Sequence, residues 1–563
     1  NFAALRKLGE AYQKTFDERY ARQAVAMLED FARKYPSYPP RATVAWAKGN
    51  ARIALNNLHE SYWIQDLAGS YDLFLDSPSL PPETRALIRR RLLLPAARYQ
   101  TTITSGFSNQ TSSRYAAAAL FGMLAEDANL LQYAVYGHHG LAISAEVSIS
   151  PDGFLTEIPI NYHWANLREM LTLPLVCRNA GVNMEVATER IRKACDTPYL
   201  RAMPNLNAPP FGSCGYGIGA NFGLGNYPRV AELFGLPLYE QLATPEGARE
   251  IIDGLPSLAF IEGGLVVLRE KGRTGLDRTY LAILSTNSRR AADQTLHFAL
   301  YSDGDLLCPS PGTLYNAHAD ATWVSPWPST LVVDGQPQRT SLGRILAHDF
   351  SGEPQMALRD AGGIAPGVSL QRAVALAEGL VFVVDRASSE KEHTYDRVQM
   401  ARQEIVRPPA EPTELELNHG ENIRFRGTRL DRDWDLQWQI PGGPGLEFRM
   451  VGEPGTQVFW GANQVNAYKP QMYAPTVVAR RQAKSTVFLN VMEPFRDRAP
   501  HLRGVRRVKV LAGDREATEA EAVAVTALTD RGEFVFVVNF DATPKTCEGH
   551  LVTESLALFQ VGR

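Results

Sequence analysis

The spacing of hydrophobic residues changes once along the chain, near residue 250. Before that point, apolar residues recur at helical spacing, as in RYAAAALFGMLAED at 114–127, and Pro-rich breaks separate one series from the next. This spacing puts the apolar side chains on one face of an α-helix. After about residue 255, short runs rich in Val, Phe and Leu, such as LVFVVDRASS and EFVFVVNF, alternate with Gly, Asp and Asn turns. Such runs are typical of antiparallel strands.

The two patterns predict an α+β multidomain protein. We expect helices over residues 1–250 and an antiparallel β-sandwich over residues 251–563. Short Pro or Gly breaks join the helices, and no repeat of fixed period occurs. A helical bundle and a ring of antiparallel helix pairs both fit this arrangement, whereas a solenoid of regular repeats does not.

Composition excludes several classes of protein. A chain of 563 residues is too long for a single core, and its net charge of −3 offers no basic surface for nucleic acid. No run of about 18 apolar residues occurs, so we expect no membrane span. The five cysteines are scattered without a CxxC pair, which favours free thiols over a disulfide framework. No signal peptide is visible, but the chain opens within a helical pattern at Asn1, so export stays open.

The densest chemistry lies at residues 151–170, PDGFLTEIPINYHWANLREM. A Pro-Asp-Gly turn leads to Glu157, and a helix is predicted after Pro159. Tyr162 and Asn166 are four residues apart and therefore share one face of that helix. On its own, this stretch equally fits an amphipathic helix whose aromatic residues pack in a core.

Four stretches together resemble one known family. They are SNQTSSRYAAAAL, PDGFLTEIPINYH, LHFALYSDGDLLCPSPGTLY followed by STLVVDGQPQ, and TVVARRQAKSTVFLNVMEPF. In this order and spacing they are similar to the heparinase II/III and alginate-lyase type of polysaccharide lyase. The resemblance implies an incomplete α/α toroid followed by a β-sandwich. It also implies cleavage of a uronate polysaccharide by β-elimination, without a required cofactor, in the periplasm or outside the cell.

The resemblance assigns roles to residues on both predicted domains. Tyr162 corresponds to the base, and also the acid, of the elimination, and Asn109 to the group that neutralises the substrate carboxylate. Because a phenol has a pKa of about 10, neighbouring cations or donors must lower it, and Arg114, Arg168 and His163 are the local candidates. Without the order of the four stretches, Asn109 is better interpreted as a residue of the loop at a helix start. The predicted substrate-binding residues are Gln110, Arg114, Trp164, Arg168, Tyr216 and Tyr315.

The sequence departs from the family at two places. A histidine-containing stretch is expected at the start of the sandwich, where this chain has Arg289-Arg290-Ala291-Ala292-Asp293. A His-Asn pair is expected where Pro328-Ser329-Thr330 stands. His318 is the preferred substitute for the missing catalytic histidine, with Tyr315 as a second acid. His297 lies within an apolar run and is predicted to be a core residue.

Two other functions remain open from the sequence. A glycoside hydrolase on a helical toroid could use Asp152 and Glu157 as its carboxylate pair. A non-catalytic relative could bind uronate oligosaccharides without turnover, since the expected histidines are missing. In each case the predicted partner is an acidic polysaccharide, with no nucleic acid and no membrane. The resemblance leaves room for a structural divalent metal in the sandwich, but no ligands are assigned.

Overall fold

The computed structural model describes most of the chain. The described residues are 2–40, 51–102, 106–183, 188–212, 221–287, 294–310, 314–315, 323–324, 328–418, 424–464 and 473–561. They form two compact units. The first unit comprises residues 1–157, 162–196 and 226–239, and the second comprises residues 158–161, 197–225 and 240–563.

Helices occupy the part of the chain where the apolar spacing is helical. Among the described residues they are Phe2–Thr15 (α1), Glu18–Lys34 (α2), Asn57–Asp72 (α3), Pro82–Ile88 (α4), Leu94–Thr101 (α5), Asn109–Leu124 (α6), Ala128–Tyr136 (α7), Leu141–Ser148 (α8), Ile160–Asn179 (α9), Thr188–Leu200 (α10), Tyr227–Phe234 (α11), Pro237–Leu242 (α12) and Pro245–Gly254 (α13). The predicted helical half is confirmed, whereas its closure into a toroid stays a prediction.

The helix starts follow from the sequence. Asp17 caps α2 by accepting a hydrogen bond from the backbone N–H of Arg19, and Asn56 caps α3 in the same way through His59. Such side chains satisfy N–H groups that have no partner inside the helix. Within the described helices, none has the length and apolar character needed to cross a lipid bilayer.

Strands follow α13. They are Leu258–Phe260 (β1), Leu265–Arg269 (β2), Tyr280–Leu284 (β3), Thr286–Asn287 (β4), Phe298–Ser302 (β5), Asp305–Cys308 (β6), Leu314–Tyr315 (β7), Trp323–Val324 (β8), Leu331–Val333 (β9), Ser341–Leu342 (β10), Arg344–Asp349 (β11), Gln355–Asp360 (β12), Val368–Ala377 (β13), Leu380–Met400 (β14), Glu404–Arg407 (β15), Leu415–Asn418 (β16), Arg424–Arg429 (β17), Trp434–Gln439 (β18), Gly445–Met450 (β19), Gln457–Gln464 (β20), Tyr473–Phe495 (β21), Leu502–Val508 (β22), Val510–Ala512 (β23), Arg515–Glu516 (β24), Ala522–Thr529 (β25), Gly532–Asn539 (β26), Lys545–Cys547 (β27), His550–Val552 (β28) and Leu556–Gln560 (β29).

The strands form antiparallel sheets around one large sheet. Every pairing among the described strands is antiparallel, as predicted. The large sheet runs β11-β12-β13-β14-β21-β19-β18-β15, and β9, β16, β17 and β20 join it. The smaller sheets are β1-β2-β3-β5-β6, β22-β25-β26-β29, β24-β23-β27-β28 and the two-stranded sheets β10-β4 and β7-β8.

The large sheet is apolar on both faces. Val381 and Val383 of β14 pack with Phe298 of the five-stranded sheet in one core. Phe382 between them points the other way and packs against Phe536 of β26, with ring centroids 5.9 Å apart. The far side of that C-terminal sheet carries a further core, shared with β27 and β28. The sheets therefore stack in four layers, where a simple sandwich has two.

His297 lies fully buried in the first of these cores. Its Nδ1 accepts a hydrogen bond from the backbone N–H of Ser329 at 3.2 Å. Arg372 donates to the carbonyl of Ser329 at 2.7 Å and binds the buried Asp385 through both carboxylate oxygens. Burial lowers the pKa of His297 to about 3, and the charge of Arg372 adds to that shift.

This histidine should make stability depend on pH. The unfolded chain binds a proton at His297 near pH 6.5, whereas the folded chain binds it only near pH 3. Its contribution is therefore complete above about pH 6.5 and is lost as the pH falls. Between pH 7 and pH 5 the wild type should lose about 2 kcal/mol of unfolding free energy through this group. We expect His297→Asn, which keeps an acceptor for Ser329, to remove that loss in urea titrations at pH 5, 6 and 7. The prediction is contradicted if the unfolding free energy of His297→Asn falls with pH as much as that of the wild type.

Candidate active site

The helices α6 and α9 pack side by side and run in the same direction. Ser112 Oγ donates to Asn166 Oδ1 at 2.9 Å, a contact between residues 54 apart in the sequence. Cys177 Sγ lies 3.6 Å from Met123 Sδ, again 54 residues apart. The second contact lies about three turns after the first on both helices, and the sequence separation between the partners is the same. The two helices are therefore parallel and in register over that length.

This register places Asn109 and Tyr162 at the same height along the axes of the two helices. Asn109 lies one turn before Ser112 on α6, and Tyr162 lies one turn before Asn166 on α9. Residues one turn apart share a helix face, so both side chains start from the facing sides of the two helices. The Tyr162 side chain is partly exposed, and Asn109 is buried.

Glu157 connects the starts of both helices. Its Oε2 accepts a hydrogen bond from the backbone N–H of Asn109 at 2.7 Å and another from Asn166 Nδ2 at 2.8 Å. The side chain is almost buried. The sequence suggested Glu157 only as an acid of a hydrolase, but its carboxylate is bound to two helices.

The environment of Asn109 differs from that of a helix cap. The N-cap of α6 is Ser108, whose side chain makes no capping hydrogen bond. Asn109 Oδ1 is buried without a hydrogen-bond partner among the described residues. Asn109 is thus the first residue of α6, as the helix-start interpretation expects, but its side-chain oxygen accepts no helix N–H group. Its role toward a substrate stays a prediction.

A second polar cluster, which the sequence did not reveal, lies beside the first. Arg168 binds Glu169 at 2.7 Å, and its guanidinium lies 4.8 Å from the ring centroid of Tyr62. Glu169 also accepts a hydrogen bond of 3.4 Å from Ser113 of α6. Burial raises the pKa of Tyr62, and the charge of Arg168 opposes that shift. Tyr62 is far from Arg168 in the sequence, and no local pattern marks the contact.

Arg114 is fully buried within α6. Its Nε donates to the carbonyl of Gln110 at 3.2 Å, and Nη2 donates to Thr111 Oγ1 at 3.2 Å. Burial lowers the pKa of Arg114 to about 10. Gln110 itself is partly exposed. The substrate contacts predicted for Arg114 and Gln110 stay predictions, and the contacts of Arg114 support the first turn of α6.

His163 and Trp164 lie on the side of α9 that packs against other helices. His163 Nε2 lies 2.8 Å from the carbonyl oxygen of Ala194 in α10. The Trp164 ring meets the Tyr227 ring nearly at right angles, with centroids 5.5 Å apart. Both side chains are buried. Their predicted catalytic and substrate-binding roles stay predictions, since these contacts serve helix packing.

Three predicted site residues lie wholly or partly outside the described residues. Tyr216 and His318 lie outside the described residues, as does the stretch Arg289–Asp293. Tyr315 is in β7, opposite Trp323 of β8, and its side chain is also outside the described part. Next to that stretch, Gln294 accepts a hydrogen bond from the backbone N–H of Gly212 at 2.8 Å.

The hydrolase and metal hypotheses both depend on grouped acidic or metal-binding side chains. Among the described residues, no three or more His, Cys, Asp or Glu side chains are grouped to hold a metal ion. Asp152, the other acid of the hydrolase hypothesis, accepts a hydrogen bond from Ser150 Oγ in the turn before Phe154. Glu157 binds α6 and α9 instead, so the two acids differ in environment.

Comparison with known proteins finds a family that the helical part resembles. Residues 3–235 match the family described as heparinase II/III N-terminus. This part is therefore similar to that family. The match includes α6, Glu157 and all of α9, so the site described above lies inside the matched region. The predicted resemblance to heparinase- and alginate-lyase-type polysaccharide lyases is confirmed.

Relatives that match this chain are polysaccharide lyases by name. An exo-oligoalginate lyase of Saccharophagus degradans is 26% identical over 177 residues, which are 29% of this chain and 23% of that protein. An alginate lyase of Stenotrophomonas maltophilia is 25% identical over 189 residues, which are 32% of this chain and 25% of that protein. These alignments therefore span about a quarter of the length of the curated relatives.

The likeness in fold extends beyond residues 3–235. The heparan sulfate lyase of Pedobacter heparinus matches 95% of this chain and 81% of its own, with a TM-score of 0.69 and 17% sequence identity. At this identity the match shows a shared fold. The antiparallel sheets that follow α13 are thus part of the same architecture.

Proposed function

We propose that this chain is a polysaccharide lyase that cleaves a uronate-containing polysaccharide by β-elimination. One observation carries the proposal: Asn109 and Tyr162 start at the same level from facing sides of two parallel helices. The proposal assigns proton transfer to Tyr162 and neutralisation of the substrate carboxylate to Asn109. It extends to an incomplete α/α toroid, in which helices that are not consecutive in the chain pack side by side, as α6 and α9 do.

The reaction needs two groups at one sugar ring. Tyr162, as a phenolate, takes the proton from C5 of the uronate, and the electrons of that C–H bond form the C4–C5 double bond. The bond between C4 and the glycosidic oxygen breaks, and the leaving oxygen takes the proton back from Tyr162. The phenolate is thereby restored. The C5 proton becomes acidic only when the carboxylate is neutralised, which is the role of a donor such as the Asn109 amide.

The remaining predicted residues have supporting parts in this proposal. Arg168 keeps 43% of its side chain exposed while bound to Glu169, so it is the proposed contact for a further acidic group of the substrate. Gln110, Arg114, Trp164, Tyr216 and Tyr315 are proposed substrate contacts, and His163 and His318 are proposed to assist catalysis. The proposed substrates are of the glycosaminoglycan or alginate type, as in the named relatives, and the proposed location is periplasmic or secreted.

An ultraviolet assay tests this function. The unsaturated uronate formed by elimination absorbs ultraviolet light, whereas hydrolysis leaves saturated ends. We expect absorbance to rise with at least one substrate from a panel of alginate, heparan sulfate, chondroitin sulfate and hyaluronan. New reducing ends without absorbance would indicate a hydrolase. Binding without either product would indicate the non-catalytic relative.

A further inference from the structure

Glu157 is held by contacts that connect the two helices of the site. A single oxygen, Oε2, accepts from the first N–H group of α6 and from the Asn166 side chain of α9. Asn166 in turn accepts from Ser112 Oγ of α6. The chain of contacts therefore closes on itself: Glu157, Asn109, the first turn of α6, Ser112, Asn166 and back to Glu157.

We infer that Glu157 is a positioning residue that fixes Asn109 and Tyr162 relative to each other. This inference rests on the proposed function. The bond to Asn109 fixes the backbone that carries the proposed carboxylate donor. The bond to Asn166 fixes the rotation of α9 about its axis, and Tyr162 lies one turn away on the same face. Hydrogen bonds to a carboxylate are shorter and stronger than those to neutral acceptors, so both helices are held firmly.

The position of the acceptor oxygen, rather than its charge, carries this role. Glutamine can present its side-chain oxygen at the same place and accept both hydrogen bonds. Methionine has a similar length but lacks an oxygen acceptor, so it leaves the Asn109 N–H and the Asn166 amide without their partner. A catalytic acid would behave differently, because glutamine cannot ionise. Comparing glutamine with methionine therefore separates a positioning residue from the acid of a hydrolase.

We expect Glu157→Met to lower kcat by about 10²-fold with little change in KM, because a displacement of about 1 Å in a reacting group has that cost. Glu157→Gln should keep kcat within about tenfold of the wild type, since a lost charge-assisted bond costs about 1 kcal/mol. Asn166→Leu should resemble Glu157→Met. The double variant, with Glu157→Met and Asn166→Leu, should have a kcat little lower than that of either single variant, because the effects of residues that act as a unit are not additive. All rates are measured per folded molecule by the ultraviolet assay.

Glu60 provides a matched control in the same helical unit. It is also a buried glutamate, and it accepts hydrogen bonds from the Tyr35 hydroxyl and the backbone N–H of Ile53, both at 3.1 Å. Glu60→Met should lower the melting temperature without changing kcat per folded molecule. If Glu157→Met does the same, Glu157 only stabilises the fold and the inference is overturned. An equal loss of kcat per folded molecule in Glu157→Gln and Glu157→Met would also overturn the inference.

Hydrogen exchange tests the inference without any turnover. The N–H group of Asn109 has no partner within its helix, so its protection depends on Glu157. By mass spectrometry, the peptide at the start of α6 should exchange faster in Glu157→Met and at the wild-type rate in Glu157→Gln. Unchanged exchange in Glu157→Met would refute the positioning role even if the lyase is active. An inactive wild type with this exchange pattern would refute the proposed function alone.

Discussion

Tyr162→Phe is expected to lower turnover by about 10⁴-fold, because it removes the group assigned both to take the C5 proton and to return it. The ring remains, so its packing on α9 changes little. KM should change far less than kcat, since the hydroxyl acts mainly in the transition state. The measurement is the ultraviolet assay on the best polyuronate, with folding checked by circular dichroism.

Tyr227→Phe is the control for this substitution. The Tyr227 hydroxyl donates to the carbonyl of Cys195 at 3.0 Å within the same helical unit. Removing it should lower the melting temperature and leave turnover per folded molecule unchanged. If Tyr162→Phe keeps near wild-type turnover, Tyr162 is a packing residue and the proposed mechanism loses its base.

Asn109→Ala is expected to lower kcat/KM by about 10²–10³-fold, as does the loss of one donor to a developing negative charge in other enzymes. The side-chain oxygen of Asn109 caps no helix, so the stability of α6 should change little. The measurement is the same assay at substrate concentrations below KM.

Asn56 is the matched control because it is also an asparagine at a helix start. Its Oδ1 accepts a hydrogen bond from the His59 N–H at 2.9 Å, as a cap does. Asn56→Ala should cost about 1 kcal/mol of stability and no turnover per folded molecule. If Asn109→Ala behaves like Asn56→Ala, Asn109 has no part in neutralising the substrate.

The sequence predicted what depends on local spacing. The change from helical to strand spacing near residue 250 agrees with the end of α13 at Gly254 and the start of β1 at Leu258. The shared face of Tyr162 and Asn166 follows from their separation by four residues alone. The register of α6 and α9 could not be predicted, because it depends on contacts between residues 54 apart.

The charge environment was the hardest part to predict. The sequence marked Arg114 as a candidate substrate contact, but it could not show that Arg114 is fully buried and donates to the carbonyl of Gln110 within its own helix. Tyr62 went unnoticed because its contact with Arg168 depends on the packing of α3. In the sheets, the strand β14 is apolar on both faces, so its sequence could not indicate how many layers would stack on it.

The parallel arrangement of α6 and α9 has an electrostatic consequence. Peptide dipoles add along a helix and give its N-terminus the equivalent of about half a positive charge. Because both helices begin at the same end, two such partial charges lie near Asn109 and Tyr162, partly offset by Glu157. This field favours an anionic group at this end of the two helices without requiring a free basic side chain, in a chain whose net charge is −3. Unlike a lysine or a histidine, a peptide dipole has no proton to lose, so this attraction persists at alkaline pH for as long as the helices remain folded.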